Sequence, residues 1–213
     1  LEYRAAKGIY LGEKYDKAIA PLKAFIEKYP NNENLVEATY LIADAAYRTN
    51  NKSEALIYYK KMVEQNVHPQ INKAIQRSAE IELENKNYSA SANLYHLYKS
   101  KYTGTKDQLL ANNGLLSTFI GANMLDSAAY ITDELIQQKD ISEEEKAKLA
   151  EKMANTFESG GDVVNQRNWL GITTNLDKND IGASAQLKLA SLLYKESKFK
   201  ESSEMILDKF RNV

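Results

Sequence analysis

The chain has 213 residues, of which 43% are hydrophobic and 27% charged, with a net charge of −1 at pH 7. This composition is typical of a folded globular protein, and the small charge gives no electrostatic reason to expect nucleic acid or an anionic membrane as a partner. The absence of cysteine excludes disulfide bonds and thiol catalysis, and no apolar run reaches the roughly 18 residues of a membrane span.

Short polar or glycine-bearing turns divide the chain into twelve predicted helices, arranged in six pairs. Between the turns, apolar residues recur at the spacing of amphipathic helices. Gly and Asn in the turns suit the left-handed conformation that ends a helix. Ser142 with Glu145 three residues later has the pattern of a capping box. The predicted helices cover about 1–12 and 15–29, 32–49 and 52–65, 69–85 and 88–102, 105–121 and 125–138, 142–159 and 162–174, and 179–196 and 199–211.

A small residue near the start of the second helix of each pair marks an internal repeat. It recurs at steps of 37, 36 and 37 residues and then of 74, which is twice 37, with a degenerate copy at the midpoint of that double step. The six positions are Ala18, Ala55, Ser91, Ala128, Asn165 and Ser202. We therefore predict one all-α domain over 1–213, with units at about 1–30, 31–67, 68–103, 104–140, 141–176 and 177–213.

Small side chains indicate where the helices approach each other. Ala43 and Ala46 share one face of the third helix, and Ala55 and Tyr59 share one face of the fourth. Small residues facing a small residue and an aromatic ring allow two helices to pack closely. We therefore expect Ala43 to be tightly packed between helices.

The first three units resemble the tetratricopeptide repeat (TPR) family, most closely over residues 1–65 and less closely to about residue 102. The resemblance weakens in the fourth and fifth units, where Asn165 replaces the small residue and the closing proline is missing. It implies a right-handed α-α superhelix, a TPR-like solenoid of about six helix pairs, and a binding scaffold that is not an enzyme. The residues that carry it are Ala6, Ala18, Leu22, Phe25 and Pro30 in the first unit, and Ala43, Ala46, Ala55, Tyr59 and Met62 in the second.

The first unit is most similar to bacterial cell-envelope members of the family. Its pattern is Gly8-x-Tyr10-x-x-x-Lys14-Tyr15-x-x-Ala18-Ile19, followed by Phe25-Ile26-x-x-Tyr29-Pro30. This similarity implies the periplasmic side of a bacterial envelope, with the cytoplasm as the alternative. Because the chain begins without Met, we interpret it as a piece of a longer precursor. Its last predicted helix carries apolar residues that we expect to support self-association through an end: Met205, Ile206, Leu207 and Phe210.

In TPR proteins the first helix of each unit lines the concave groove, so the resemblance implies a partner-binding surface on the first three units. Tyrosines there would be good anchors, because a ring buries much area at low entropy cost and its hydroxyl still forms a hydrogen bond. The alternative is that these tyrosines only pack against the neighbouring repeat. We expect Lys7, Tyr40, Asp44, Tyr47 and Arg48 to be at least partly exposed. The implied groove residues are Tyr3, Lys7, Tyr10, Glu37, Tyr40, Asp44, Tyr47, Arg48, Lys73, Gln76 and Glu80.

No catalytic constellation is evident in the sequence, and we expect no cofactor. There is no paired acid and base and no activated nucleophile. The two histidines, His68 and His96, lie in an inter-unit loop and within a predicted helix, so we expect no metal site. The leading hypothesis is a scaffold that binds a protein or peptide partner, and not nucleic acid, in its groove. The alternative is a spacer or oligomerisation module within a larger protein.

Overall fold

The computed structural model describes residues 1–211, and the side chains of residues 1–207. Over that range the chain forms twelve α-helices in six pairs and no β-strand, which confirms the all-α prediction. The helices are α1 (Glu2–Leu11), α2 (Tyr15–Lys28), α3 (Leu35–Arg48), α4 (Lys52–Gln65), α5 (Ile71–Glu84), α6 (Tyr88–Lys101), α7 (Thr105–Gly121), α8 (Leu125–Ile136), α9 (Glu143–Ser159), α10 (Val163–Leu176), α11 (Asp180–Lys195) and α12 (Phe199–Arg211).

The predicted bounds agree with these helices to within three residues. The largest difference is at α3, which was expected from residue 32 and begins at Leu35. The side chain of Asn32 accepts a hydrogen bond from the backbone N–H of Asn34 at 2.9 Å. This local turn competes with the first helical turn and delays the start of the helix. At α9 the capping box of Ser142 and Glu145 forms as predicted.

The turn inside each helix pair has the same backbone conformation in all six units. One residue adopts a positive φ, and the next residue donates its N–H to the carbonyl five residues earlier, as Asn51 does to Ala46 at 2.8 Å. This bond closes the end of a helix in the Schellman manner. Among these six positive-φ positions, glycine occurs only at Gly161. Gly12, in the first turn, has a negative φ, and the next residue, Glu13, has the positive one. The six residues are Glu13, Asn50, Lys86, Asn123, Gly161 and Ser197.

On a larger scale than the six repeats, the chain divides into two compact units. From here on, the first unit is Leu1–Thr118 and the second unit is Phe119–Val213. In the first unit, Ala43, Ala46 and Ala55 are fully buried where α3 packs against α4. The tight packing expected of Ala43 is therefore confirmed. Small side chains at these positions let larger neighbours fill the space between the helices. The largest buried side chains here include Leu22, Ile42, Tyr59, Met62 and Ile75.

Serine replaces alanine at two of the repeat-marking positions without leaving a polar group unpaired. Ser91 is fully buried, and its hydroxyl donates to the carbonyl of Ala79 at 3.0 Å. In the second unit, Ser202 makes the same bond to the carbonyl of Ala190 at 2.8 Å. Both bonds span 12 residues, from the second helix of a pair back to the first. A buried hydroxyl is tolerated at these places because its hydrogen bond is satisfied.

The second unit has its own core between α8 and α12, built around Leu135, Met153 and Leu170. At its carboxyl end, Leu207 is 51% exposed, and Met205 and Ile206 are half-buried. The side chain of Phe210, which we expected to be apolar surface, lies outside the described residues. The self-association of the chain through this end stays a prediction, as does the single domain over 1–213.

Candidate functional site

All eleven predicted groove residues lie on α1, α3 and α5, the first helices of the first three pairs. We call their common surface the groove face. Most of these side chains are bonded to each other across successive pairs, as when Lys7 on α1 donates to Glu37 on α3 at 3.1 Å. The structure therefore brings the predicted residues together into one connected polar surface. It also shows that they are partnered within the chain.

The carboxylate of Asp44 is the centre of the groove face. Its Oδ2 accepts hydrogen bonds from the Tyr10 hydroxyl at 2.6 Å and from Nε of Arg48. Its Oδ1 accepts from Lys73 Nζ at 2.6 Å, and the same ammonium donates to the Tyr40 hydroxyl at 3.2 Å. One side chain on α3 thus joins α1 and α5, so three helix pairs share one buried carboxylate.

We expected Asp44 to be at least partly exposed, and this expectation is wrong. Its side chain is 2% exposed, because the partners from α1, α3 and α5 cover it. Burial by itself would raise the pKa of Asp44, but hydrogen bonds from Lys73, Tyr10 and Arg48 outweigh it, and the pKa lies below its ordinary value. The carboxylate is therefore held in its charged form and is fully occupied by its neighbours. Asp44 positions the groove face and offers no open acceptor to a partner.

A second chain of contacts runs from Lys7 through Glu37 to His68. Glu37 Oε2 lies 2.8 Å from His68 Nε2, while His68 Nδ1 accepts the backbone N–H of Gln70 at 3.0 Å. Because Nδ1 accepts, Nε2 is the nitrogen that donates to Glu37. The imidazole also stacks on Tyr40 with ring centroids 4.8 Å apart. Burial would raise the pKa of Glu37, but the bonds from His68 and Lys7 lower it.

A third cluster surrounds Glu80 on α5. Its Oε2 accepts from Arg77 Nη1 at 2.7 Å, and its Oε1 accepts from Gln76 at 2.8 Å. Arg77 Nη1 also donates to the Tyr47 hydroxyl at 2.8 Å, and the guanidinium lies 4.4 Å from the centroid of that ring. This cluster joins α5 to α3 as Asp44 does, one turn further along the helices.

Three residues of this surface were missed by sequence reasoning: His68, Arg77 and Tyr15. Arg77 is not among the predicted groove residues, and the repeat gives no signal for it, because one repeat earlier its position holds Leu41, a buried core residue. His68 was interpreted as a loop residue. A short loop between two helices nevertheless places the side chain of a residue beside Pro69 against those helices. Tyr15 lies under Arg48, with the guanidinium carbon 4.9 Å from its ring centroid.

Tyr3 lies at the edge of the groove face, against the end of α2. Its ring packs 5.2 Å from that of Phe25, and Lys7 Nζ lies 5.7 Å from its centroid. Tyr3 also lines a cleft of about 550 Å³ between α1 and the loop before α3, together with Tyr29 and Glu33. This edge is therefore more aromatic and less cross-linked than the centre at Asp44.

Within residues 1–207, no group of three or more His, Asp or Glu side chains converges as metal ligands would. Among the helices of residues 1–211, none combines the length and the apolar character that a membrane crossing requires.

Solved structures share this arrangement of helix pairs. The MamA RS-1 ArsTM double mutant is 13% identical, with a TM-score of 0.57 over 83% of this chain and 93% of the other. BtubC (BKLC) from P. vanneervenii is 13% identical, with a TM-score of 0.53 over 93% of this chain and 88% of the other. A tetratricopeptide repeat protein from Parabacteroides merdae ATCC 43184 is 15% identical, with a TM-score of 0.44 over 97% of each chain. The chain has a TPR-like fold.

Sequence comparisons add one family match. Residues 1–68 match the family described as the bacterial transcriptional activator domain, BTAD. Among curated proteins, none matches the chain. The BTAD match covers the first two helix pairs, which carry most of the groove face.

Proposed function

We propose that the chain is a non-enzymatic scaffold that binds a protein or peptide partner on the groove face. The observation that carries the proposal is the network around Asp44, which holds side chains from three helix pairs in one fixed arrangement. A surface whose side chains are already ordered loses less conformational entropy when a partner binds. Tyrosine and arginine, which are prominent here, are the residues that most often dominate the energy of protein interfaces.

The partner would lie across α1, α3 and α5 rather than along one helix. Arg48 is 46% exposed and Lys73 is 27% exposed, so both present their charged ends to an incoming molecule. The rings of Tyr40 and Tyr47 are half-buried and flank these charges. A protein or peptide segment could therefore make both polar and aromatic contacts on one surface.

The setting of the partner is also part of the proposal. The resemblance of the first repeat, residues 1–30, to cell-envelope TPR proteins supports the periplasmic side of a bacterial envelope. The BTAD match supports a second candidate, an interaction module of a bacterial transcriptional regulator. Fractionation of cells that express the full-length gene product would separate the two, since the first requires the envelope fraction and the second requires the cytoplasm.

Site-specific photo-crosslinking tests where the partner binds. A photoreactive phenylalanine analogue would replace Tyr40 on the groove face or, as a matched control, Ile57, which is 55% exposed on α4. We expect crosslinked partner from position 40 and not from position 57. The alternative of a spacer or oligomerisation module predicts a different result: position 40 would crosslink only to further copies of the chain, or would give no crosslink.

A further inference from the structure

We propose that the groove face recognises an acidic peptide segment, with the carboxylates of the partner bound by Arg48, Arg77, Lys7 and Lys73. This inference rests on the proposed function and adds the chemistry of the partner. It rests on the hydrogen bonds of the groove face, in which the carboxylate oxygens are all occupied while the cations keep further donors.

Both oxygens of every carboxylate on the groove face already have partners. Asp44 accepts from Lys73 on one oxygen and from Tyr10 and Arg48 on the other. Glu37 accepts from Lys7 and is bonded to His68. In the third cluster, Glu80 accepts from Gln76 on one oxygen, and from Arg77 and, at 3.4 Å, the Tyr47 hydroxyl on the other. A partner that offers donors, such as a lysine-rich segment, would have to break one of these bonds.

The cations of the groove face, in contrast, keep unused donors. Arg48 uses Nε for Asp44, and within residues 1–207 its two terminal nitrogens have no hydrogen-bond partner. Arg77 donates through Nη1 to Tyr47 and Glu80, and within residues 1–207 its Nη2 has no hydrogen-bond partner. Its Nε is buried without a partner and is not open to a peptide. Lys7 donates to Glu37 with one of its three protons. With four cations and three carboxylates, the surface has spare donors and a positive balance, which suits a carboxylate better than any other side chain of a peptide.

The same four cations are held in place by tyrosine rings. Each charge lies within 6 Å of a ring centroid, the range of cation–π attraction. Arg48 lies 4.9 Å above Tyr15, and Arg77 lies 4.4 Å above Tyr47. The remaining contacts are Lys7 over Tyr3 at 5.7 Å and Lys73 over Tyr40 at 5.6 Å. The donors are thus ordered before binding, which is what a bidentate contact from arginine to a carboxylate requires.

The length of the segment follows from the helix spacing. Helices pack about 8–10 Å apart, so the distance across α1, α3 and α5 is roughly 20 Å. An extended peptide advances about 3.3 Å per residue and would cross this distance with about six residues. Two or three acidic residues at alternate positions would place their side chains toward the same face.

Fluorescence anisotropy with labelled synthetic peptides tests the inference on the whole 213-residue chain. The probe is a peptide of about ten residues in which Glu alternates with Ser, long enough to overhang the groove face at both ends. The matched peptides carry Gln or Lys in place of Glu, and a single-stranded oligonucleotide of similar length tests for general anion binding. We expect the Glu peptide to bind about tenfold or more tightly than the Gln peptide, and the advantage to shrink with added salt.

Variants then assign the binding to the groove face. Arg48→Gln should weaken binding of the Glu peptide by about tenfold, as loss of a charge-assisted contact does. Glu37→Gln should strengthen it by roughly threefold, because it removes a competing carboxylate from Lys7 while its amide oxygen still accepts from His68. A general loss of structure would not produce a gain. Lys148→Gln is the matched control, because Lys148 pairs with Glu144 on α9, which carries none of the groove residues, and should change nothing.

Failure of this inference can be told apart from failure of the proposed function. Equal binding of the Glu and Gln peptides, or tighter binding of the oligonucleotide, would overturn the assignment of an acidic peptide. If a partner still crosslinks at position 40 in that case, the groove face binds a partner of other chemistry and the proposed function stands. If the Glu peptide binds but ignores Arg48→Gln and Glu37→Gln, its site lies elsewhere and the inference is again wrong.

Discussion

Replacement of Asp44 by alanine is the most direct test of how the first unit is held together. The change removes a carboxylate that accepts hydrogen bonds from Tyr10, Arg48 and Lys73. Breaking a buried ion pair by deleting one partner typically costs about 3–5 kcal/mol, because the remaining charge is left uncompensated. Lys73 and Arg48 are 27% and 46% exposed and can turn toward water. We therefore expect a smaller loss, about 2–3 kcal/mol in the free energy of unfolding.

Urea-induced unfolding followed by far-UV circular dichroism would measure this loss. Tyr10→Phe removes a single donor and should cost only about 0.5–1.5 kcal/mol. A double-mutant cycle between Asp44→Ala and Lys73→Met should show a coupling energy of about 1 kcal/mol or more, since the two side chains are in contact. A loss below about 0.5 kcal/mol for Asp44→Ala, within the range of an ordinary surface change, would refute the central role of this carboxylate.

The same residue predicts a dependence of stability on pH. The pKa of Asp44 in the folded chain lies below its ordinary value of about 3.9. Its contribution to stability is therefore fully present above that ordinary value and is lost as the pH falls through the folded-state pKa. We expect the stability advantage of the wild type over Asp44→Asn to be constant near neutral pH and to shrink below about pH 4. Parallel urea titrations at pH 7 and at pH 3 would check this, and an advantage that grows on acidification would contradict it.

Three further predictions follow from the fold and the groove face. Ala43→Leu should destabilise the chain by about 1–3 kcal/mol through overpacking, because Ala43 is fully buried; an unchanged thermal melt would show that α3 and α4 are not packed as described. Tyr47→Ala combined with Arg48→Ala should weaken partner binding by a few kcal/mol without loss of helicity, measured by calorimetry and circular dichroism, and unaltered binding would place the site elsewhere. The isolated chain should self-associate through an end where Leu207 is exposed; light scattering that stays at the monomer mass across a concentration series would argue against this.

The helices and their pairing could be predicted from the sequence because each depends on local patterns. Helix bounds follow from apolar periodicity and from turn residues, and these signals agree with the structure to within three residues. The sequence predicts less well which residue of each turn adopts the left-handed conformation. Glu13, Lys86 and Ser197 occupy it although none is Gly or Asn. The hydrogen bonds that end the preceding helix outweigh the modest cost of the left-handed conformation at these positions.

The groove residues could be named from the sequence, but their partners could not. Contacts between first helices do not join residues one full repeat apart. They join residues 29 or 30 positions apart, as in Asp44 with Lys73 and Tyr47 with Arg77, or 33 or 34 positions apart, as in Tyr10 with Asp44. These offsets are shorter than the repeat by about two turns and one turn of helix. They depend on how successive pairs are shifted along each other, which a repeat length alone does not state.

This offset also explains why Asp44 is buried although it lies on the groove face. Its repeat equivalents are Lys7 and Glu80, which each remain partly exposed. Asp44 receives Tyr10 from the preceding pair and Lys73 from the following pair, and these two side chains cover its carboxylate.

Beyond α5 the series of charged groove residues does not continue at the equivalent positions. A further step of 37 residues, as from Ser91 to Ala128, carries Lys73 to Leu110 and Glu80 to Ser117. Leu110 packs as a partly buried apolar side chain against the core of the first unit. A residue without charge at this position cannot extend the series of cations and carboxylates that begins at Lys7. The charged positions of the groove face therefore lie on α1, α3 and α5. We expect a binding site that depends on these charges to be lost when the first three helix pairs are removed, and to be retained when changes are made only in α9 to α12.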